Sequence, residues 1–286
     1  MLAVNESAAL SSRITVLDGI RAVAVLSVLL FHLKIEWARG GFVGVDIFFV
    51  LSGYLVIKSL LKDGANPLFS LNTLRFYERR FFRIYPALVM VNVYVMIAGF
   101  LLLTPSIFYE TAKASAASLF GFSDIYFYTT SNYFSPDSYL LPLLHLWTLG
   151  VEIKYYLLLP LFLYVIKYKI KSDNYKFPVR VTLLVLFVVI INYLFPGEHS
   201  FYLLPFRVNE FFTGMLLYFA YLTFRLNNIN VYVSEVLAFI GLLFILASIT
   251  LFDESTPFPS YHVMLPVLGT VFLVLGSNSR ALQMLL

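Results

Sequence analysis

An imidazole at position 32 and a carboxylate at position 46 stand in stretches that are otherwise apolar. Ionisable groups at the centre of a spanning helix cost roughly 2.5–3.5 kcal/mol on insertion scales, so they usually face a polar cavity and mark a functional site. A carboxylate beside an imidazole fixes its tautomer and raises its basicity, which is what a general base needs to activate a hydroxyl. A polar pair of this kind also serves to tie two membrane helices together. Spacing alone leaves both readings of His32 and Asp46 open. Arg21 precedes His32 by eleven residues, almost three whole turns, so the two share a helix face about 16 Å apart along the axis. Asp18 lies a turn before Arg21.

Four further groups of residues have the right types for chemistry. The stretch RFYERRFFRIYP carries Arg75, Arg79, Arg80 and Arg83. It reads either as an anchor on anionic lipid, worth about 1 kcal/mol per basic side chain, or as a grip on a polyphosphate through bidentate contacts. Glu152 and Lys154 fall within LWTLGVEIKYYLLLP. Two residues apart, they cannot face each other on a helix, so each needs a partner from elsewhere. Arg207 and Glu210, three apart, make an intrahelical ion pair or line a pocket. His145 is expected at the outer interface, and His145 and Trp147 are candidates to line an outer pocket with Arg207 and Glu210. The Ser52-Gly53 pair suits a close helix contact.

The elements that position these groups follow from composition. Of the 286 residues, 60% are hydrophobic and only 13% charged, against about 25% charged in ordinary soluble domains. Apolar runs near 20 residues recur along the chain, so the unit is the spanning helix. The expected fold is an all-α integral membrane protein, a polytopic bundle of about eight spans in one domain over residues 1–286. The spans are expected at 16–34, 42–61, 84–104, 143–166, 178–195, 206–224, 232–252 and 262–277, after a polar tail at 1–15. Basic residues concentrate in 75–83 and 167–176. Putting both stretches on the cytoplasmic side satisfies the positive-inside rule, with the N-terminus also cytoplasmic. Segment 106–141 then begins and ends on one face, so it is external or re-entrant. On this reading Arg21 points inward, while His32 and Asp46 share a depth near the outer surface.

Composition also excludes. The absence of cysteine removes thiolate nucleophiles and disulfides. The four histidines show no metal-ligand spacing, so no metal is expected. The net charge of +4 is confined to a few loops, which argues against nucleic acid. No cleavable leader is evident.

In order, LDGIRAVAVLSVLLFH, GGFVGVDIFFVLSGYLV, RFYERRFFRIYPAL, HLWTLGVEIKYYLLLP and LPFRVNEFFTGMLL resemble the acyltransferase family 3 membrane proteins of the bacterial O-antigen and peptidoglycan acetylase type. The resemblance covers essentially the whole chain. The family's basic residue and histidine of the first helix fall on Arg21 and His32, and its Arg-x-x-Arg element on Arg80 and Arg83. Its acidic residues fall on Asp46 and Glu152, which the resemblance places with His32 among the catalytic groups. The resemblance implies transfer of an acyl group, usually acetyl, from cytoplasmic acyl-CoA to a hydroxyl of O-antigen, exopolysaccharide or peptidoglycan at the outer face of the bacterial inner membrane. It implies an arginine cluster on the CoA phosphates, with Arg21 lining the path of the thioester arm. His32 then acts as base or transient acyl carrier and Asp46 orients it. Two departures stand out. Ile153 and Lys154 replace an acid and an amide, and the family's last spans have no counterpart before Leu286, which implies a C-terminally truncated domain. The competing functions are a carrier or flippase of a lipid-linked glycan, since polar stripes also line transport paths, and an inactive remnant.

Overall fold

Apolar segments in a bilayer satisfy their backbone groups internally, and the chain does so by coiling. The computed structural model describes residues 2–62, 71–131, 133, 141–164, 190, 201–224, 226 and 229–285. Among these residues every regular element is helical. The α-helices are α1 (Leu2–His32), α2 (Gly44–Lys62), α3 (Leu71–Leu102), α4 (Pro105–Leu119), α5 (Ser123–Thr130), α6 (Trp147–Tyr164), α7 (Leu204–Thr223), α8 (Val231–Leu251), α9 (Met264–Leu275) and α10 (Arg280–Leu285). Among the described residues six stretches are long and apolar enough to cross a membrane: Thr15–His32, Gly41–Leu61, Thr73–Leu102, Leu144–Leu163, Val231–Leu251 and Tyr261–Asn278. The protein is a polytopic helical membrane protein. The expected span at 206–224 forms as α7, whose polar residues leave it out of that set. The expected span at 178–195 and the basic stretch 167–176 lie outside the described residues.

Two boundaries differ from those read in the sequence. Helix α1 begins at Leu2 rather than 16, because no Gly or Pro interrupts residues 2–18 and Leu2, Ala3, Glu6, Ala8, Ala9, Leu10 and Arg13 are good helix formers. Helix α3 begins at Leu71, so Arg75–Arg83 lie inside a helix rather than in a connection before it. The start of the apolar run at 84 marks where hydropathy changes, not where hydrogen bonding starts, and Pro86 is accommodated within the helix. Segment 106–141, read only as external or re-entrant, is helical over Pro105–Leu119 and Ser123–Thr130. It folds back along α3 as α4, with Phe108 against Phe100 (ring centroids 6.0 Å) and the Ser118 hydroxyl donating to Asn92 Oδ1 at 3.0 Å. It turns at Gly121, whose φ of 74° suits a residue without a side chain, and returns as α5. Helix α4 packs on α3, and α5 packs on α4 and α6.

The chain forms two compact units, one of Met1–Ile57 with Asn209–Leu286, the other of Lys58–Val208. In the first, α2 and α7 pack backbone to backbone at Gly53 and Gly214. The second is built around α3, α4, α5 and α6.

Candidate functional site

In the first unit, Asp18 and Arg21 pair on successive turns of α1 at 3.0 Å, with the Arg21 side chain 27% exposed. Eleven residues on, His32 occupies the last turn of α1 and is exposed. Its ring meets Phe31 edge-on at 5.3 Å, and Phe31 in turn meets Phe42 at 5.5 Å. Helix α2 enters beside α1 through glycines that allow contact with its backbone. A Cβ on Gly41 would lie 2.1 Å from the Ser27 carbonyl oxygen, and one on Gly44 2.3 Å from that of Ala24. Asp46 follows in the first turn of α2 and is fully buried. The positive end of the helix dipole favours a carboxylate at that position.

The two glycine contacts fix an antiparallel register, and extending it sets Asp46 level with about Ala22. His32 and Asp46 are therefore not at one depth. They are offset by about 15 Å along the axes, at 1.5 Å per residue. Alternation of helices could not give this, because the register is set by which small residues touch. Both side chains tilt towards their own helix N-termini, and in antiparallel helices that means towards each other.

The second unit divides the arginines. Arg80 is half-buried, with its guanidinium 5.6 Å from the Phe76 ring and 5.3 Å from the Tyr156 ring of α6. The Tyr156 hydroxyl donates to the Glu152 carboxylate one turn earlier, and Glu152 acts electrostatically on Arg80. Tyr77 adds a hydrogen bond to the Leu157 carbonyl at 3.0 Å, holding α3 to α6 at this level. Arg75, Arg79 and Arg83 are exposed. Glu152, expected near His32 in role, thus belongs by geometry to the arginine end of α3.

Lys154 finds its partner in α5. Its ammonium pairs with Asp124, which is 1% exposed, and lies 5.3 Å from the Phe122 ring. Gly150 leaves room for that approach, since a Cβ there would lie 2.8 Å from Asp124 Oδ1. Sequence reasoning missed Asp124. The usable signal was Lys154 itself, which required an acid from a segment folding back onto α6. Breaking a buried pair from one side typically costs about 3–5 kcal/mol, whereas replacing both partners by apolar groups is often neutral. Asp124→Asn is therefore expected to lower thermal stability in detergent strongly, and Asp124→Leu with Lys154→Met to restore most of it. Equal melting of Asp124→Asn and parent would refute the pairing.

Arg207 is 1% exposed on the first turn of α7. Its Nε donates to the Phe201 carbonyl at 2.8 Å, and its guanidinium lies 4.3 Å from the Phe201 ring and 5.6 Å from that of Trp147. Tyr133 stacks on Phe201 at 4.5 Å, and Tyr202 meets Trp147 edge-on at 5.4 Å. Burial pushes the Tyr202 hydroxyl up to about 12, so it stays protonated beside Ser131 at 3.2 Å. Trp147 is buried in this cluster, so it holds Arg207 rather than offering an open face. His145 is exposed just before α6. Glu210, also buried, stands one turn after Arg207 on α7 and belongs to the first unit. Among the described residues no group of three His, Cys, Asp or Glu could hold a metal ion.

A family model described as "Acyltransferase domain" matches residues 14–284. The chain is 34% identical over 218 residues to "Putative O-acetyltransferase SACOL0978" of Staphylococcus aureus, covering 74% of this chain and 35% of that protein. It is 39% identical over 159 residues to "Peptidoglycan O-acetyltransferase OatA" of Listeria monocytogenes, covering 55% of this chain and 25% of that protein. A similar match, 39% over 157 residues, covering 54% of this chain and 24% of that protein, is to "Putative peptidoglycan O-acetyltransferase YrhL" of Bacillus subtilis. The chain spans about a third or less of the length of these relatives. No solved structure matches it.

Proposed function

The chain belongs to the acyltransferase domain family, and from that membership we propose that it transfers an acetyl group from acetyl-CoA to a carbohydrate hydroxyl. The observation that carries the reading is the half-buried Arg80, held over Tyr156 beside Glu152 between otherwise apolar helices. A guanidinium fixed there presents its remaining donors to phosphate oxygens, and Glu152 with Tyr156 keeps it oriented. The donor is cytoplasmic acetyl-CoA and the acceptor an envelope glycan outside the cytoplasmic membrane, peptidoglycan being the acceptor that two relatives' names give. Arg21, tethered to Asp18, borders the route of the thioester arm.

His32 is the base. Its imidazole removes the proton of the acceptor hydroxyl as the oxygen attacks the thioester carbonyl; the carbon–sulfur bond then breaks and the CoA thiolate leaves. Asp46 stabilises the resulting imidazolium through the field between α1 and α2. Buried Arg207, with Trp147 behind it and His145 exposed nearby in sequence, shapes the acceptor's surroundings.

The donor half of this reading has a direct test. Losing one charge-assisted hydrogen bond costs about 1.5–3 kcal/mol, so Arg80→Ala is expected to weaken acetyl-CoA binding to the purified membrane protein about tenfold or more. Titration calorimetry in detergent reads the change, and unaltered affinity would remove Arg80 from the donor site.

A further inference from the structure

The three arginines that turn away from α6 form a site of their own. At 100° per residue, Arg75, Arg79 and Arg83 fall at i, i+4 and i+8 within an arc of about 80°, a stripe about 12 Å long. All three are exposed. Arg80 lies about 60° beyond Arg83, on the side that meets Phe76 and Tyr156. Phe82, 67% exposed, borders the stripe, and Phe81 stacks on Tyr85 at 4.3 Å on the next face. Glu78, also exposed, is the one acid between 71 and 83.

The length of α3 fixes the depth of this stripe. Its 32 residues measure about 48 Å at 1.5 Å per residue, against a hydrocarbon core of about 30 Å. The apolar part, 84–102, fills the core, so Arg83 stands at headgroup level, with Arg79 and Arg75 about 6 and 12 Å further out along the axis. Arginine stems bordered by aromatic rings suit that level, because the rings sit at the interface while the guanidinium ends reach phosphate.

We propose that Arg75, Arg79 and Arg83 bind the phosphate of an acidic phospholipid, separately from the donor chemistry assigned to Arg80. Charge complementarity favours this occupant. The stripe faces away from α6, along a helix whose membrane segment is only 17% buried, and a lipid reaches that face laterally.

The test uses the full chain in nanodiscs of phosphatidylcholine alone and of an equal phosphatidylcholine–phosphatidylglycerol mixture. The parent is expected to bind fluorescent phosphatidylglycerol and to melt higher in the mixed discs. Each change of Arg75, Arg79 or Arg83 to Gln should weaken lipid binding about fivefold, the factor equivalent to ~1 kcal/mol per basic residue, and the triple variant should lose the melting difference. Raising the salt concentration should weaken the parent's preference as the exposed charges are screened. Acetyl-CoA binding is measured on the same variants. A triple variant that keeps its phosphatidylglycerol preference overturns the proposal. If it also loses acetyl-CoA, the stripe belongs to the donor. Loss of acetyl-CoA binding in Arg80→Ala alone leaves the lipid site standing.

Discussion

Changing His32 to alanine is expected to cut acetyl transfer into membrane glycan by about 10²–10⁴, the range of a positioned general base. His32 ends α1 and is exposed, so truncating it removes few packing contacts. The variant should express and melt like the parent, which separates a chemical defect from a folding one. Radiolabelled acetyl-CoA supplied to membranes, followed by counting label in the glycan, measures the effect. Label incorporation at the parent's rate would exclude His32 as the base. Asp46→Asn should show a smaller fall, because Asp46 acts on the charge of the imidazolium and does not itself take the proton. Any loss of stability in that variant is read separately by melting, since Asp46 is fully buried.

The second large effect concerns the contact between α2 and α7. A Cβ on Gly53 would lie 2.0 Å from the Phe211 carbonyl oxygen, and one on Gly214 would lie 1.9 Å from that of Val50 and 2.7 Å from the Tyr54 amide. Backbone is the obstacle at both positions, so no side-chain rotation relieves it. Two helices meeting this closely gain dispersion along their length, as small-residue interfaces in membranes do. Phe49 stacked on Phe211 at 4.6 Å and Tyr54 edge-on to Tyr218 at 5.6 Å flank the contact. Overpacking a tight contact costs typically about 1–3 kcal/mol, and more where backbone must move. Gly53→Leu and Gly214→Leu are each expected to exceed that range and to leave little monodisperse protein on size exclusion, whereas Ser52→Ala should not. A Gly53→Leu protein that elutes and melts normally would show that the helices do not meet there.

Gly53 shows how much of the fold was legible. Its small size indicated close packing from sequence, but the partner, the Phe211 backbone, is more than 150 residues away. The same holds for Lys154. Its charge in an apolar helix required a counter-charge, yet Asp124 sits in a segment whose polarity read only as external or re-entrant. The arginines are the reverse case. All four were visible, and their helical phases follow from numbering once α3 is known to reach back to Leu71. Hydropathy hid that extension, because a charged helix outside the hydrocarbon is as regular as an apolar one inside it.

The sequence by itself determined the class of the protein, the order of its spanning helices and the acyltransferase family, because apolar run length and local motifs are written in neighbouring residues. Tertiary structure decided which arginine faces α6, which acid answers Lys154, and how far His32 stands from Asp46. Those depend on helix register and phase, and register is set where distant backbones touch through glycine.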